Sequence, residues 1–173
     1  MGTKLFIFIE GDDDEKFFDK IIVPMFANKY DTVKLWKYAQ KKNERISKFL
    51  KSINAMNAEY IFVSDNDASP CITDRKQRIE TDFQNIDKNR ILVVVREIES
   101  WYLAGIDDES SKNFGIKSFS NTEQINKSAF NDLKPKKFNS RIDFMSEILK
   151  LFCIDTAKMK NGSFSYFIEK LER

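Results

Sequence analysis

Four short apolar runs divide the chain: Lys4-Leu5-Phe6-Ile7-Phe8-Ile9, the weakly alternating Thr32-Val33-Lys34-Leu35-Trp36, Tyr60-Ile61-Phe62-Val63-Ser64, and Ile91-Leu92-Val93-Val94-Val95. Short runs rich in Ile, Val and Phe read as strands covered on both faces. The second run, broken by Lys34, reads as an outer strand. Between the runs, apolar residues return at helical spacing. Phe17, Phe18, Ile21, Ile22 and Met25 predict a helix that Pro24 kinks or ends near Val23. Ile46, Phe49, Leu50 and Ile53 predict a second across 44–53. Ile79 and Phe83, with Ser69-Pro70 as a helix start, predict a third. Strand alternating with helix implies an α/β fold: a mostly parallel sheet of about four strands flanked by helices. No strand pattern follows, and helical patterns around 122–130, 141–152 and 163–171 predict a helical C-terminal extension, 106–173, packed on a core of 1–105.

Acids stand where three of the runs end. The first runs into Glu10-Gly11, the third into Asp65-Asn66-Asp67, and the fourth into Arg96-Glu97-Ile98-Glu99. Parallel α/β sheets gather their ligands beyond the strand carboxyl ends. Side chains two apart on an extended chain point the same way, so Asp65 and Asp67 can face one ion if the strand geometry persists through them. Glu10, Asp65 and Asp67, joined by one or both of Glu97 and Glu99, therefore place several carboxylates near one edge. Like charges held close repel, so such a cluster recruits a cation or protons. All-oxygen donors suit a hard ion such as Mg²⁺ or Mn²⁺.

The acids Asp12, Asp13, Asp14 and Glu15 read differently. They fall in a first helical turn, where negative charge is stabilising, and Asp12 with Glu15 has the spacing of a capping box. Glu10, on the strand side of the turn, is the acid kept for chemistry, and Gly11 permits close backbone approach. Arg75, Lys76 and Arg78 form a basic helix side which, with Arg96, supplies candidate phosphate contacts. Trp101 reads as core.

Composition narrows the chemistry. The chain has 173 residues, 42% hydrophobic and 32% charged, and its 16 Phe predict an aromatic core rather than disorder. There is no histidine, which removes Ser-His and Cys-His nucleophile pairs and His-containing zinc sites. Catalysis must then use carboxylates, lysine, tyrosine or water activated by a metal. Cys71 and Cys153 read as plain thiols. No apolar stretch approaches the roughly 20 residues that cross a bilayer, and the first run lacks a basic leader, so the expectation is a cytoplasmic protein with no membrane association. A net charge of +2 gives no global pull toward nucleic acid, leaving local clusters to do so.

Glu10-Gly11 after the first strand and Asp65-x-Asp67 after a later one resemble the TOPRIM superfamily, the catalytic fold of topoisomerases, bacterial primases and OLD-type nucleases. Arg96-Glu97-Ile98-Glu99-Ser100-Trp101-Tyr102-Leu103-Ala104 resembles the "REIE-x-W" segment of a stand-alone TOPRIM-like family, DUF4276. The resemblance implies a TOPRIM-like Rossmannoid core in which Asp65 and Asp67 bind Mg²⁺ and Glu10 acts as general acid or base, or as a further ligand. It implies phosphoryl transfer on nucleic acid. Many TOPRIM sequences carry another Asp where this chain has Ser69, which assigns Glu97 or Glu99 to any second metal. Two other readings follow from the same residues. One is a metal- or nucleotide-binding regulatory module that needs a protein partner, such as one encoded alongside it. The other is a haloacid-dehalogenase-like phosphatase built on Asp65-x-Asp67, although that family carries its motif on the first strand.

Overall fold

The computed structural model describes residues 3–172. Four strands, β1 (Lys4–Ile9), β2 (Thr32–Lys37), β3 (Glu59–Asp65) and β4 (Ile91–Val94), form one parallel sheet in the order β2-β1-β3-β4. The architecture is α/β and Rossmann-like, with a helical C-terminal part. The register sets Leu5 opposite Val33 on one side and Glu59 on the other. β2 is an edge strand, as its broken pattern predicts.

The chain leaves β1 in one direction and crosses back over it to reach β3. The general right-handed rule for such crossovers sets α1 (Asp12–Phe17) on one face and α2 (Asn43–Ala55) and α3 (Ile72–Asp82) on the other. Strand alternation sends Phe6, Phe8, Tyr60, Phe62, Ile91 and Val93 to the second face, where they pack with Ile46, Leu50, Ile53, Ile79 and Phe83. The core is aromatic. Phe8 and Phe62 stack with ring centres 5.5 Å apart, and each buried Phe contributes about 1.5–3 kcal/mol through removal from water.

Three local details depart from the sequence pattern. The regular helix breaks near Val23 as expected but does not stop in one step: the chain widens into a π-helical turn over Phe18–Ile22 and tightens into a 3-10 turn over Val23–Phe26. Proline cannot donate to the preceding turn, and the Val23 N–H reaches back five residues to the Phe18 carbonyl. The N-cap of α1 is Gly11, whose N–H donates to Asp14 Oδ2 at 3.2 Å, so Asp14 closes the cap in place of the expected Asp12 and Glu15 pair. Those two acids instead hold Lys37 Nζ at 2.9 and 2.7 Å. Finally, α3 begins at Ile72 rather than Pro70, because the Cys71 Sγ accepts the Asp74 N–H at 3.4 Å and caps it.

The chain divides into two compact units, Met1–Val93 and Val94–Arg173. The expected boundary after residue 105 set the Glu97 and Glu99 segment with the first unit; the division falls before it. The second unit contains α4 (Glu99–Ala104), α5 (Asp108–Phe114), α6 (Lys127–Leu133), α7 (Arg141–Lys150), α8 (Ile154–Lys160) and α9 (Gly162–Glu172). Trp101, Tyr102, Phe130, Phe144, Phe164 and Phe167 are buried in it. Trp101 Nε1 donates to Ser163 Oγ at 2.9 Å, and the buried Asn161 amide bonds Ser100, Thr122, Ser163 and the Phe164 N–H. Every polar atom of that amide is thus used, which is what burial requires. Both cysteines are free thiols. Among the described residues, no helix is long and apolar enough to cross a membrane.

Candidate functional site

The strand order creates a switch point between β1 and β3, where the following connections depart in opposite directions; open α/β sheets bind ligands in the crevice this leaves. Glu10 follows β1 and Asp65 ends β3, so the two acids meet there by topology. The contact is direct. The Asp65 backbone N–H donates to Glu10 Oε1 at 3.1 Å.

Two residues that the sequence did not single out hold Glu10 in place. The Ser64 hydroxyl donates to Glu10 Oε1 at 3.0 Å, and the Tyr38 hydroxyl lies 3.2 Å from the same oxygen and 2.9 Å from the Val63 carbonyl. Burial, and then the charge of Glu10, push the Tyr38 hydroxyl well above the usual tyrosine range, so it stays a donor at neutral pH. A signal for Ser64 was present: it is a hydroxyl inside an otherwise apolar buried strand, where a polar group needs a partner. Tyr38 follows Trp36 at strand spacing but carried no mark of its own.

Arg75 completes the arrangement. Its guanidinium donates to Ser64 Oγ from Nε at 3.0 Å and from Nη2 at 2.7 Å, and Nη2 stands 3.0 Å from Asp67 Oδ2 and 3.5 Å from Glu10 Oε1. The helix side expected to face phosphate therefore turns Arg75 onto the acids. Arg78 pairs with Asp74 one turn earlier at 2.9 Å.

Strand geometry does not continue through the Asp65-x-Asp67 segment. β3 stops at Asp65, and Asp67 has φ of +47°, a left-handed conformation that aspartate adopts more readily than most residues. The turn closes through Ser69 N–H to the Asn66 carbonyl at 3.0 Å, so Ser69 is buried and serves the loop. Gly11 is extended, with φ of −149°, and a Cβ there meets nothing within 4 Å, so open space adjoins Glu10.

The remaining candidates have partners inside the second unit. Glu99 is buried and pairs with Arg141 at 2.9 Å. Glu97 Oε2 accepts the Lys127 N–H at the start of α6. Arg96, with φ of +64°, gives Nε and Nη2 to Gln124 Oε1 at 3.1 and 3.0 Å. The Arg141 guanidinium thus balances the charge of Glu99, while Glu97 meets a backbone N–H at a helix start.

Glu10, Asp65 and Asp67 offer only oxygen donors, a set whose chemistry fits Mg²⁺ or Mn²⁺. As they stand, no three acids or cysteines among the described residues converge to hold an ion, and a guanidinium lies between Glu10 and Asp67. Compared with models of protein families, with curated proteins and with solved structures, the chain matches none.

Proposed function

We propose that this chain is a Mg²⁺-dependent, TOPRIM-type nuclease or phosphotransferase acting on nucleic-acid phosphodiesters. The observation that carries the reading is the way Glu10 is held. Among the described residues, every hydrogen bond and ion pair of its carboxylate falls on Oε1, from Tyr38, Ser64, Asp65 and Arg75. Oε2 is left as a proton acceptor or ligand on a group that is already oriented, at the position in an α/β sheet where ligands gather. Preorganised charge of this kind costs no rearrangement during reaction.

In this reading Asp65 and Asp67 would hold the cation, with Glu10 as general acid or base or as a further ligand, and the ion would supply Lewis acidity toward the phosphate and toward water. Glu10 Oε2 takes or returns a proton. Tyr38 and Ser64 keep that carboxylate from turning. Arg75 contacts phosphate oxygens, for which guanidinium is geometrically suited.

The test is incubation of the full chain with labelled single- and double-stranded DNA and RNA, with Mg²⁺, Mn²⁺ or chelator. Cleavage that requires metal and falls by at least about 100-fold in Asp65→Asn is expected, the usual size for loss of one charge-stabilising group. No cleavage by the wild type on any substrate, or equal cleavage by the variant, overturns the reading.

A further inference from the structure

Arg75 touches both acid-bearing loops of the site through a positive charge. It projects from α3, eleven positions after Ser64, and its side chain is only 22% exposed. This sets it apart from Arg78 on the same helix, whose side chain is 58% exposed and whose partner is the adjacent Asp74. An exposed pair within one helix contributes little, whereas a guanidinium drawn down onto a strand-end serine and two carboxylates is held by four contacts at once.

Glu10 and Asp67, which follow β1 and β3 and lie within reach of one guanidinium, are unfavourable as a close pair without a compensating charge. Arg75 supplies it. The guanidinium engages Asp67 Oδ2 and Glu10 Oε1, on two of the same carboxylates that would hold a divalent ion. A dication and a guanidinium on the same carboxylates repel each other, and Asp67 cannot give its full charge to both.

We propose that Arg75 is the resident counter-ion of the acid site, and that a divalent cation binds only by displacing its guanidinium from Asp67, Glu10 and Ser64 together. The proposal rests on the metal-dependent reading above and deepens it. Metal affinity is then set by competition with the chain's own arginine, which keeps the site folded when metal is scarce. The displaced guanidinium becomes free for an anionic group at the moment the cation arrives, so phosphate contact by Arg75 follows metal binding rather than preceding it.

The experiment titrates Mn²⁺ into the full chain by calorimetry, at fixed ionic strength, with thermal unfolding in parallel. Wild type, Arg75→Met and Arg78→Met are compared. Arg75→Met is expected to unfold at a lower temperature without metal, yet to bind Mn²⁺ at least about five-fold more tightly, the lower end of ordinary coupling between two ligands. Arg78→Met removes the same charge from the same helix and is expected to stay within about two-fold, as a surface charge should. Equal or weaker Mn²⁺ binding by Arg75→Met, or an equal gain in Arg78→Met, overturns the displacement while leaving the metal site standing. Absence of Mn²⁺ binding in all three overturns the metal reading and the displacement with it. Should Arg75→Met not fold, the wild type decides the matter: its Arg75 Nε–H, bonded to Ser64, is expected to lose protection from solvent exchange in nuclear magnetic resonance spectra when Mg²⁺ saturates the site. Unchanged protection overturns the proposal.

Discussion

Tyr38 shows how one hydroxyl ties together the ends of three strands. Its ring stacks on Phe62 at 4.5 Å, and its oxygen sits between the Val63 carbonyl and the Glu10 carboxylate. Tyr38→Phe keeps the ring and removes the donor, leaving a buried carbonyl and a carboxylate oxygen short of a partner. The expected cost is about 1–2 kcal/mol in urea denaturation, and a loss indistinguishable from zero would show that the hydroxyl is not engaged. The carboxylates Glu10 and Asp65 were legible in the chain because each follows directly from a run whose length marks its end. Their neighbours were not. Tyr38 and Arg75 reach Glu10 from 28 and 65 positions away, and nothing in a local pattern encodes such contacts. Glu97 and Glu99 show the converse: an acid at a strand end looks the same whether it faces an ion or, as with Glu99, a half-buried arginine 42 positions on.

Strands and long helices followed from periodicity, because alternation and helical spacing are properties of near neighbours. Element ends followed less well. The Pro24 region passes through π and 3-10 turns, since the missing proline N–H can be absorbed by shifting the bonding pattern as well as by stopping it. The short helices α5 and α8 carried too few apolar positions to show a period. α4 ends at Gly105, where packing leaves a mark: a Cβ there would stand 2.1 Å from the Phe152 ring, and the Gly105 carbonyl accepts the Cys153 N–H at 2.9 Å. Phe152 also packs edge-on against Phe164, so the ring has a neighbour behind it. Gly105→Ala is expected to destabilise by about 1–3 kcal/mol, the range for overpacking. Gly162→Ala meets only the movable end of Glu123 and serves as the comparison. Equal thermal unfolding of the two variants would show that Phe152 moves aside freely.

Global stability should carry a signature of the buried tyrosines in alkali. Burial, and then the hydrogen bond to Glu59, push Tyr30 up to about 12, and burial raises Tyr38 and Tyr60 as well. A group whose folded value is raised binds its proton more tightly in the native state. Its contribution is complete below the unfolded value of 10.0 and is lost as pH climbs toward about 12. Urea midpoints are therefore expected to fall between those limits, and to fall less steeply in Tyr30→Phe. Parallel profiles for the two proteins would remove Tyr30 from the account. Sequence alone was enough for the α/β class, the outer position of β2, the aromatic core and the acids Glu10 and Asp65 at strand ends, because strand length, alternation and burial are set by residues close together in the chain. Tertiary structure alone decided that Arg75 lies on Glu10 and Asp67, that Tyr38 and Ser64 orient Glu10, and that Glu97 and Glu99 have partners in a second unit. The physical reason is that a charge takes its environment from whatever the fold brings near it, and those groups come from distant parts of the chain.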